Sequence, residues 1–171
     1  MNKIGLSIKG EYTDTIRYAN GDVEVIKGQN LIVDGLLNLV TALLGVKSGY
    51  TGLKYWAVGQ GNVSWDSSTP EPTTSDTQLT DEIGRKQISA SDMTWVTSNG
   101  SDSSTPTNRL KVRVTFGANE CVGTWREFGL FGGNATDSRN SGIMINHKNH
   151  SVITKTNEME IEREIIFTFS K

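Results

Sequence analysis

The C-terminal part of the sequence alternates between apolar and polar residues with the period of a β-strand. In residues 158–170 one face is apolar with a single exception, and the other is mostly glutamate, threonine and serine. The first face consists of Met159, Ile161, Arg163, Ile165, Phe167 and Phe169. Residues 109–116 alternate in the same way, with one face made of Leu110, Val112, Val114 and Phe116. Both segments are predicted to be strands with one buried face.

Arg163 is the charged residue in an otherwise apolar row. A buried guanidinium is costly without a partner, because its charge is removed from water. Arg163 is therefore expected either at the end of the sheet or paired with a carboxylate, for which Glu82 and Glu127 are candidates.

The N-terminal residues predict a β-hairpin. Ile4, Leu6 and Ile8 alternate with small or polar residues, and Asn20-Gly21 favours a tight turn between two strands. We expect two or three antiparallel strands, with residues 1–29 as a hairpin and candidate attachment arm and residues 30–171 as the main β domain. Every later polar loop is bracketed by predicted strands, so all 171 residues are expected to form one continuous domain.

Residues 30–45, NLIVDGLLNLVTALLG, predict the single helix of the fold. The apolar residues at helical spacing are Ile32, Leu36, Leu39, Val40, Leu43 and Leu44. Asp34 is placed to cap the start and Gly45 to end the helix. Gly35 and Thr41 weaken its intrinsic propensity, so the helix is expected to depend on packing against a sheet.

The remaining segments add short strands separated by polar loops. Strands are predicted at residues 53–61 (a central strand), 87–88, 93–96, 124–131 and 143–148, with one helical turn within 77–86. The loops at 62–76, 98–108 and 134–141 are rich in Ser, Thr and Asn. Many strands with one helix predict a mainly β fold, an antiparallel β-sandwich or open barrel with one α-helix packed on it.

Residues 124–133, TWREFGLFGG, place the charge pair Arg126 and Glu127 in a segment otherwise suited to burial. Such a pair is either catalytic or structural, and the structural interpretation is favoured because buried ions are usually paired. We expect Glu82, Arg85, Arg126 and Glu127 to form an ion network that holds the loop before Arg85 against the central strand.

The composition of the chain argues against several classes of function and partner. The net charge is −2, which gives no basic field for nucleic acid. Cys121 is the only cysteine, so the chain forms no internal disulfide and no cysteine-based zinc site. No uninterrupted apolar stretch has the length of a signal peptide or a membrane span. We therefore expect no nucleic-acid or membrane partner.

The candidate chemical motifs are weak. Gly59-Gln60-Gly61 lacks the further glycine and the lysine of a phosphate loop. His147 and His150 lie in a strand-to-turn pattern and are expected to be an exposed pair rather than metal ligands. Cys121 has no local base, and the acidic pair at 81–82 precedes Arg85 at salt-bridge spacing. The sequence thus predicts no enzyme, no catalytic residue, no metal and no cofactor.

Several motifs in order resemble a family of bacteriophage tail proteins, the N-terminal domains of tail-collar fibre proteins and related short virion proteins. The family layout has a helix, a strand ending in VGxG, a segment T.L..E..R and a strand ending in REFGLF or REIGLF. This chain matches it with Ala57-Val58-Gly59-Gln60-Gly61, then Thr77, Leu79, Glu82 and Arg85, then Arg126-Glu127-Phe128-Gly129-Leu130-Phe131. The resemblance covers residues 30–170.

The resemblance implies a structural virion protein, assembled in the host cytoplasm, of the tail, baseplate, collar or fibre attachment. Such a protein would form a homo-oligomer, a trimer or ring, and dock other tail proteins. One alternative is a carbohydrate- or receptor-binding module, with Trp65, Trp95 and Tyr50 as interface or ligand-facing aromatics that could take up a glycan. Trp65 alternatively packs back onto its own domain. A further alternative is capsid decoration.

Overall fold

The computed structural model describes residues 5–171, and Ile4 of the predicted N-terminal pattern lies outside them. Within this range the chain forms ten strands, one α-helix and two short 3-10 turns. In chain order the elements are β1 Ser7–Tyr18, β2 Val23–Ile32, α1 Gly35–Leu44, β3 Thr51–Gly59, the 3-10 turn Val63–Asp66, β4 Glu82–Gln87, the 3-10 turn Ala90–Asp92, β5 Met93–Val96, β6 Asp102–Ser103, β7 Arg109–Phe116, β8 Gly123–Gly133, β9 Ile143–Lys155 and β10 Met159–Ser170. The predicted mainly β fold with one helix is confirmed.

All ten strands belong to one antiparallel sheet in the order β4-β3-β8-β9-β2-β1-β10-β7-β5-β6. Strand β2 joins the two halves, because it pairs along most of its length with β1 and then, at Leu31 and Ile32, with β9. Across residues 5–171 the sheet stays unclosed between β4 and β6, an arrangement that fits a sandwich or an open barrel.

The two halves of the sheet face each other across one core. Tyr12 of β1 meets Phe128 of β8 edge to face, with ring centroids 5.1 Å apart. Phe116 of β7 meets Trp125 of β8 in the same way at 5.0 Å. The alternation predicted for β7 and β10 is confirmed, since Val112, Val114, Phe116, Ile161, Ile165 and Phe167 are all buried.

Helix α1 lies chiefly against the start of β9 and inserts Leu36 and Leu39 into the core. It begins after Asp34, whose side chain makes no capping hydrogen bond, and it ends at Gly45 as predicted. Gly35 fits closely here, because a Cβ at this position would overlap the carbonyl oxygen of Met144. The helix is thus positioned by tertiary packing, which its weak propensity requires.

Two local predictions are wrong. The predicted helical turn within residues 77–86 is absent from the described chain, where residues 82–87 form strand β4. Strand β3 is not central, because it lies next to the edge strand β4. Both errors have one cause. Strand β4 pairs with β3, so that Arg85 lies opposite Ala57 and Lys86 opposite Trp56, and no pattern in the sequence indicates this pairing.

Candidate functional site

Glu82 and Arg85 form a buried ion pair on the edge strand β4. The guanidinium donates from Nε to Glu82 Oε1 at 2.6 Å and from Nη2 to Oε2 at 2.8 Å. Arg85 Nη1 also donates to the carbonyl oxygen of Thr136 at 2.8 Å and lies near that of Ser141. Both side chains are almost fully buried. The pair therefore ties β4 to the polar loop that precedes β9.

Glu127 anchors the end of the long loop formed by residues 60–81. Its fully buried carboxylate accepts the backbone N–H groups of Thr80 at 3.0 Å and Asp81 at 2.9 Å. Gly59 allows this approach, since a Cβ there would lie 2.5 Å from Glu127 Oε1. The loop is thus held against β8 by a carboxylate and backbone groups.

Arg126 pairs with Asp66 instead of joining the other predicted residues. Its Nε and Nη2 donate to the two Asp66 oxygens at 2.6 and 2.8 Å, and its Nη1 donates to the carbonyl of Gln60 at 3.1 Å. The ladder between β8 and β9 shifts register between Trp125 and Glu127, as in a β-bulge. This irregularity directs Arg126 toward the loop. The four predicted residues therefore do not form one network. Arg126 and Glu127 hold the loop of residues 60–81, whereas Glu82 and Arg85 hold the loop that precedes β9.

His147 lies inside β9 between two carboxylates, so its predicted exposure is wrong. Its Nδ1 is 2.8 Å from Asp76 Oδ2 and its Nε2 is 3.2 Å from Glu127 Oε2. Burial by itself lowers the pKa of His147, but the hydrogen bonds to Glu127 and Asp76 outweigh it and raise the pKa above its ordinary value. Only the imidazolium can donate to both carboxylates, so the protonated ring links the loop to the sheet.

Arg163, Asp14 and His150 form a second polar cluster, inside the core. The carboxylate partner of Arg163 is Asp14, not Glu82 or Glu127. Arg163 Nη2 also donates to His150 Nε2 at 3.1 Å, and its guanidinium carbon lies 4.4 Å from the centre of the Phe128 ring. Burial and the Arg163 charge lower the pKa of His150 to about 3, so this buried ring is neutral near pH 7.

Lys155 is another buried charge, and no motif around it predicted a functional or structural role. Its ammonium group donates to the carbonyl oxygens of Gly117, Ala118, Thr156 and Met159 at 2.8 to 3.3 Å. Burial lowers the pKa of Lys155 below its ordinary value, and the nearby charges of Cys121, Glu120 and Glu160 oppose this shift only in part. The ammonium fixes the turn before β8 to the β9–β10 hairpin.

The three predicted aromatics lie in different places. Trp65 is half-buried and packs on Gly61 within its own loop. Tyr50 is half-buried against Gly133 and lines a shallow hollow beside α1. Trp95 is 40 % exposed and lines a different and larger groove.

That larger groove is here called the α1 groove. It has a volume of about 820 Å³ and opens between helix α1 and the strands β3, β5, β7 and β10. Its walls are apolar and include Val40, Leu43, Leu53, Trp95, Phe167 and Phe169. Lys54 is the charged residue among those that line it. The α1 groove is an open end of the hydrophobic core.

Helix α1 explains why this end stays open. The stripe Leu36, Leu39, Val40 and Leu43 follows helical spacing, but only its N-terminal half is buried. Val40 is 36 % and Leu43 41 % exposed, and both line the α1 groove. The sequence pattern could identify the apolar stripe, but it could not indicate that half of the stripe lacks a covering element.

Residues 5–171 contain no group of three or more His, Cys, Asp or Glu side chains placed to hold a metal ion. In the same residues no helix has both the length and the apolar character needed to cross a membrane. A scan against protein-family models finds no matching family, and a search of curated proteins finds no match.

Proposed function

We propose that the chain is a structural subunit of a bacteriophage virion, of the tail, baseplate, collar or fibre attachment, that forms a homo-oligomer and docks other tail proteins. The ordered motifs at residues 57–61, 77–85 and 126–131 support the assignment to a virion. The geometry of the chain supports a role in docking other proteins.

The motif residues support an architectural role through the contacts they make. Gly59 leaves room for Glu127, Glu127 holds the loop that contains Thr77 and Leu79, and Glu82 holds Arg85. Each of these carboxylates is engaged by a backbone N–H or a guanidinium. A group used in this way positions the chain and has little freedom for acid–base chemistry.

The α1 groove is the observation that carries the proposal. Soluble monomers rarely expose a large contiguous apolar surface, and such a surface usually marks a site of association. Here the apolar groove adjoins further exposed side chains of the helix, Leu37 at 56 % and Leu44 at 80 %. A subunit of an assembly would cover this surface with a neighbouring protein.

Antibody labelling of purified phage particles tests the virion role. An antibody raised against the chain is bound to intact particles and located with gold by electron microscopy. Label on tails or baseplates is the expected result. Label on heads would replace the tail role with capsid decoration, and unlabelled particles that also lack the chain by mass spectrometry would overturn the proposal.

A carbohydrate- or receptor-binding role is the second candidate, favoured by the exposure of Trp95 on the α1 groove. An exposed indole can stack on the apolar face of a sugar ring. Glycan-array binding that is lost in Trp95→Ala and retained in Trp65→Ala would support this role. An array without any binding would reject it.

A further inference from the structure

The α1 groove has the size and the lining of a small-molecule site. Its volume of about 820 Å³ lies within the range of ligand pockets, which is about 300 to 1,000 Å³. The residues that line it include the buried core side chains Leu36, Leu39, Ile88 and Phe167. Ligand pockets typically combine such apolar walls with a few polar groups that orient the ligand. The interior of the α1 groove is therefore suited to a ligand with an apolar body.

One wall of the groove crosses three adjacent strands. Phe167 and Phe169 come from β10, Leu110 from β7, and Met93 and Trp95 from β5. Adjacent strands lie about 4.8 Å apart, so this wall extends over about 10 Å. Helix α1 and strand β3 supply the remaining lining. An elongated apolar body fits such a groove better than a compact one.

Lys54 of β3 is the charged residue that lines the groove, and it is half-buried. Its ammonium group makes no salt bridge with another of residues 5–171. A lysine beside an apolar surface lays its methylene stem along that surface and keeps its ammonium group in water. The charge of Lys54 therefore belongs at the mouth of the groove, where it is free to pair with an anionic group of a ligand.

The groove offers few other polar groups to a ligand. Besides Lys54, the lining side chains that can hydrogen-bond are the hydroxyl of Thr51 and the indole N–H of Trp95. A ligand with many polar groups would lose free energy here, because burial without a hydrogen-bond partner is costly. An alkyl chain carries no such groups. The lining thus favours a ligand with an alkyl body and a single charged head.

We propose that the α1 groove binds an amphipathic anion, with an alkyl chain along the apolar walls and an anionic head group paired with Lys54 at the mouth. Fatty carboxylates and the alkyl phosphates of lipids share this chemistry. The inference goes beyond the proposed function and does not depend on it. Leu37 and Leu44 adjoin the groove without lining it, so a neighbouring protein can contact them while the groove holds a ligand.

Titration calorimetry with a series of alkyl carboxylates, each kept below its micelle concentration, tests the apolar part of the site. Every additional methylene buried in the groove should tighten binding about fourfold, so decanoate should bind about 15-fold more tightly than octanoate. Decyl phosphate is titrated in parallel. Tighter binding of decanoate would identify a carboxylate as the preferred head group, tighter binding of decyl phosphate a phosphate, and either result supports the shared chemistry.

Lys54→Met tests the charged part of the site, because it removes the ammonium group and keeps an apolar stem. This variant should bind decanoate about fivefold more weakly than the wild type. Decanol, which has no charge, should bind both proteins equally. Lys47→Met is the matched control, since Lys47 is exposed and lines the shallow hollow beside α1 instead of the groove. Its affinity for decanoate should equal that of the wild type.

A second pair of variants locates the alkyl chain. Leu43→Glu puts a carboxylate on the groove wall and should abolish decanoate binding. Leu44→Glu, on the same helix but outside the lining, should retain it. Circular dichroism shows whether each variant is folded. Trp95 gives a readout that needs no change in α1: decanoate should shift the tryptophan emission of the wild type to shorter wavelength, and Trp95→Phe should lose this shift.

Four outcomes overturn the inference: a wild type that binds no dodecanoate, an affinity that does not depend on chain length, a Lys54→Met protein that binds decanoate as tightly as the wild type, or an emission shift that persists in Trp95→Phe. These outcomes are separate from the virion test. A chain that binds decanoate but is absent from particles would retain the ligand site and lose the proposed function. A chain found on tails that binds no alkyl anion would do the reverse.

Discussion

Asp14 and Arg163 are direct partners across strands β1 and β10 and join through a two-point ion pair inside the core. Arg163 Nε donates to Asp14 Oδ1 at 2.9 Å and Nη2 donates to Oδ2 at 2.8 Å, with 0 % and 1 % of the two side chains exposed. The guanidinium also lies over the rings of Phe128 and Trp125. This pair connects one half of the sheet to the aromatic core of the other half.

Removing one member of this pair should be among the most damaging changes in the protein. Asp14→Ala leaves the Arg163 charge buried and unpaired, so it is expected to lower the free energy of unfolding by about 3–5 kcal/mol. Urea denaturation measures the change. The double variant Asp14→Leu with Arg163→Met removes both charges and should recover much of the loss. A double variant no more stable than Asp14→Ala would show that the pair is not the cause.

The link between His147 and the loop predicts a pH dependence. Because the folded pKa of His147 is raised above 6.5, its contribution to stability is complete below pH 6.5 and is lost as the pH rises through the folded value. Urea denaturation of the wild type and His147→Gln at a series of pH values checks this. The difference in stability between them should be largest in mild acid and shrink with increasing pH. A difference that grows with pH would contradict the assignment.

Gly35 provides a test of how helix α1 is seated. Glycine to alanine usually stabilises a helix by about 1 kcal/mol. Here the new methyl group would overlap the carbonyl oxygen of Met144 and lie 3.0 Å from Ile143 Cγ2, so Gly35→Ala should lower the urea midpoint. Gly52→Ala is the control, because its Cβ meets nothing within 4 Å. A Gly35→Ala protein more stable than the wild type would place the helix elsewhere.

The strand pattern of this fold could be predicted from sequence, because alternation is a local property. Residues 109–116 and 159–170 both follow the alternation that the structure shows. The helix could also be predicted from the sequence, since its apolar residues recur at helical spacing and Gly45 ends it. These features depend on residues close together in the chain.

The polar contacts were harder to predict from the sequence, because the two partners of each contact are distant along the chain. Asp14 and Arg163 are 149 residues apart. The only local indication that Asp14 is buried is its position on the same face of β1 as the apolar Tyr12 and Ile16. His147 was predicted to be exposed because the local sequence has a strand-to-turn pattern. It is buried because Asp76, 71 residues earlier, and Glu127 enclose it. The partner of Arg126 depends on a strand irregularity that the sequence does not mark.

The proposed function requires the chain to associate through the exposed apolar side of α1. Sedimentation velocity over a dilution series, on the wild type and Leu44→Glu, shows whether it does. Leu44 is 80 % exposed, so the glutamate should leave the fold intact and disrupt the apolar interface. Val23→Glu, at a site 60 % exposed on the hairpin, is the matched control. We predict an assembled wild type and control and a monomeric Leu44→Glu; identical sedimentation of all three proteins would contradict the account.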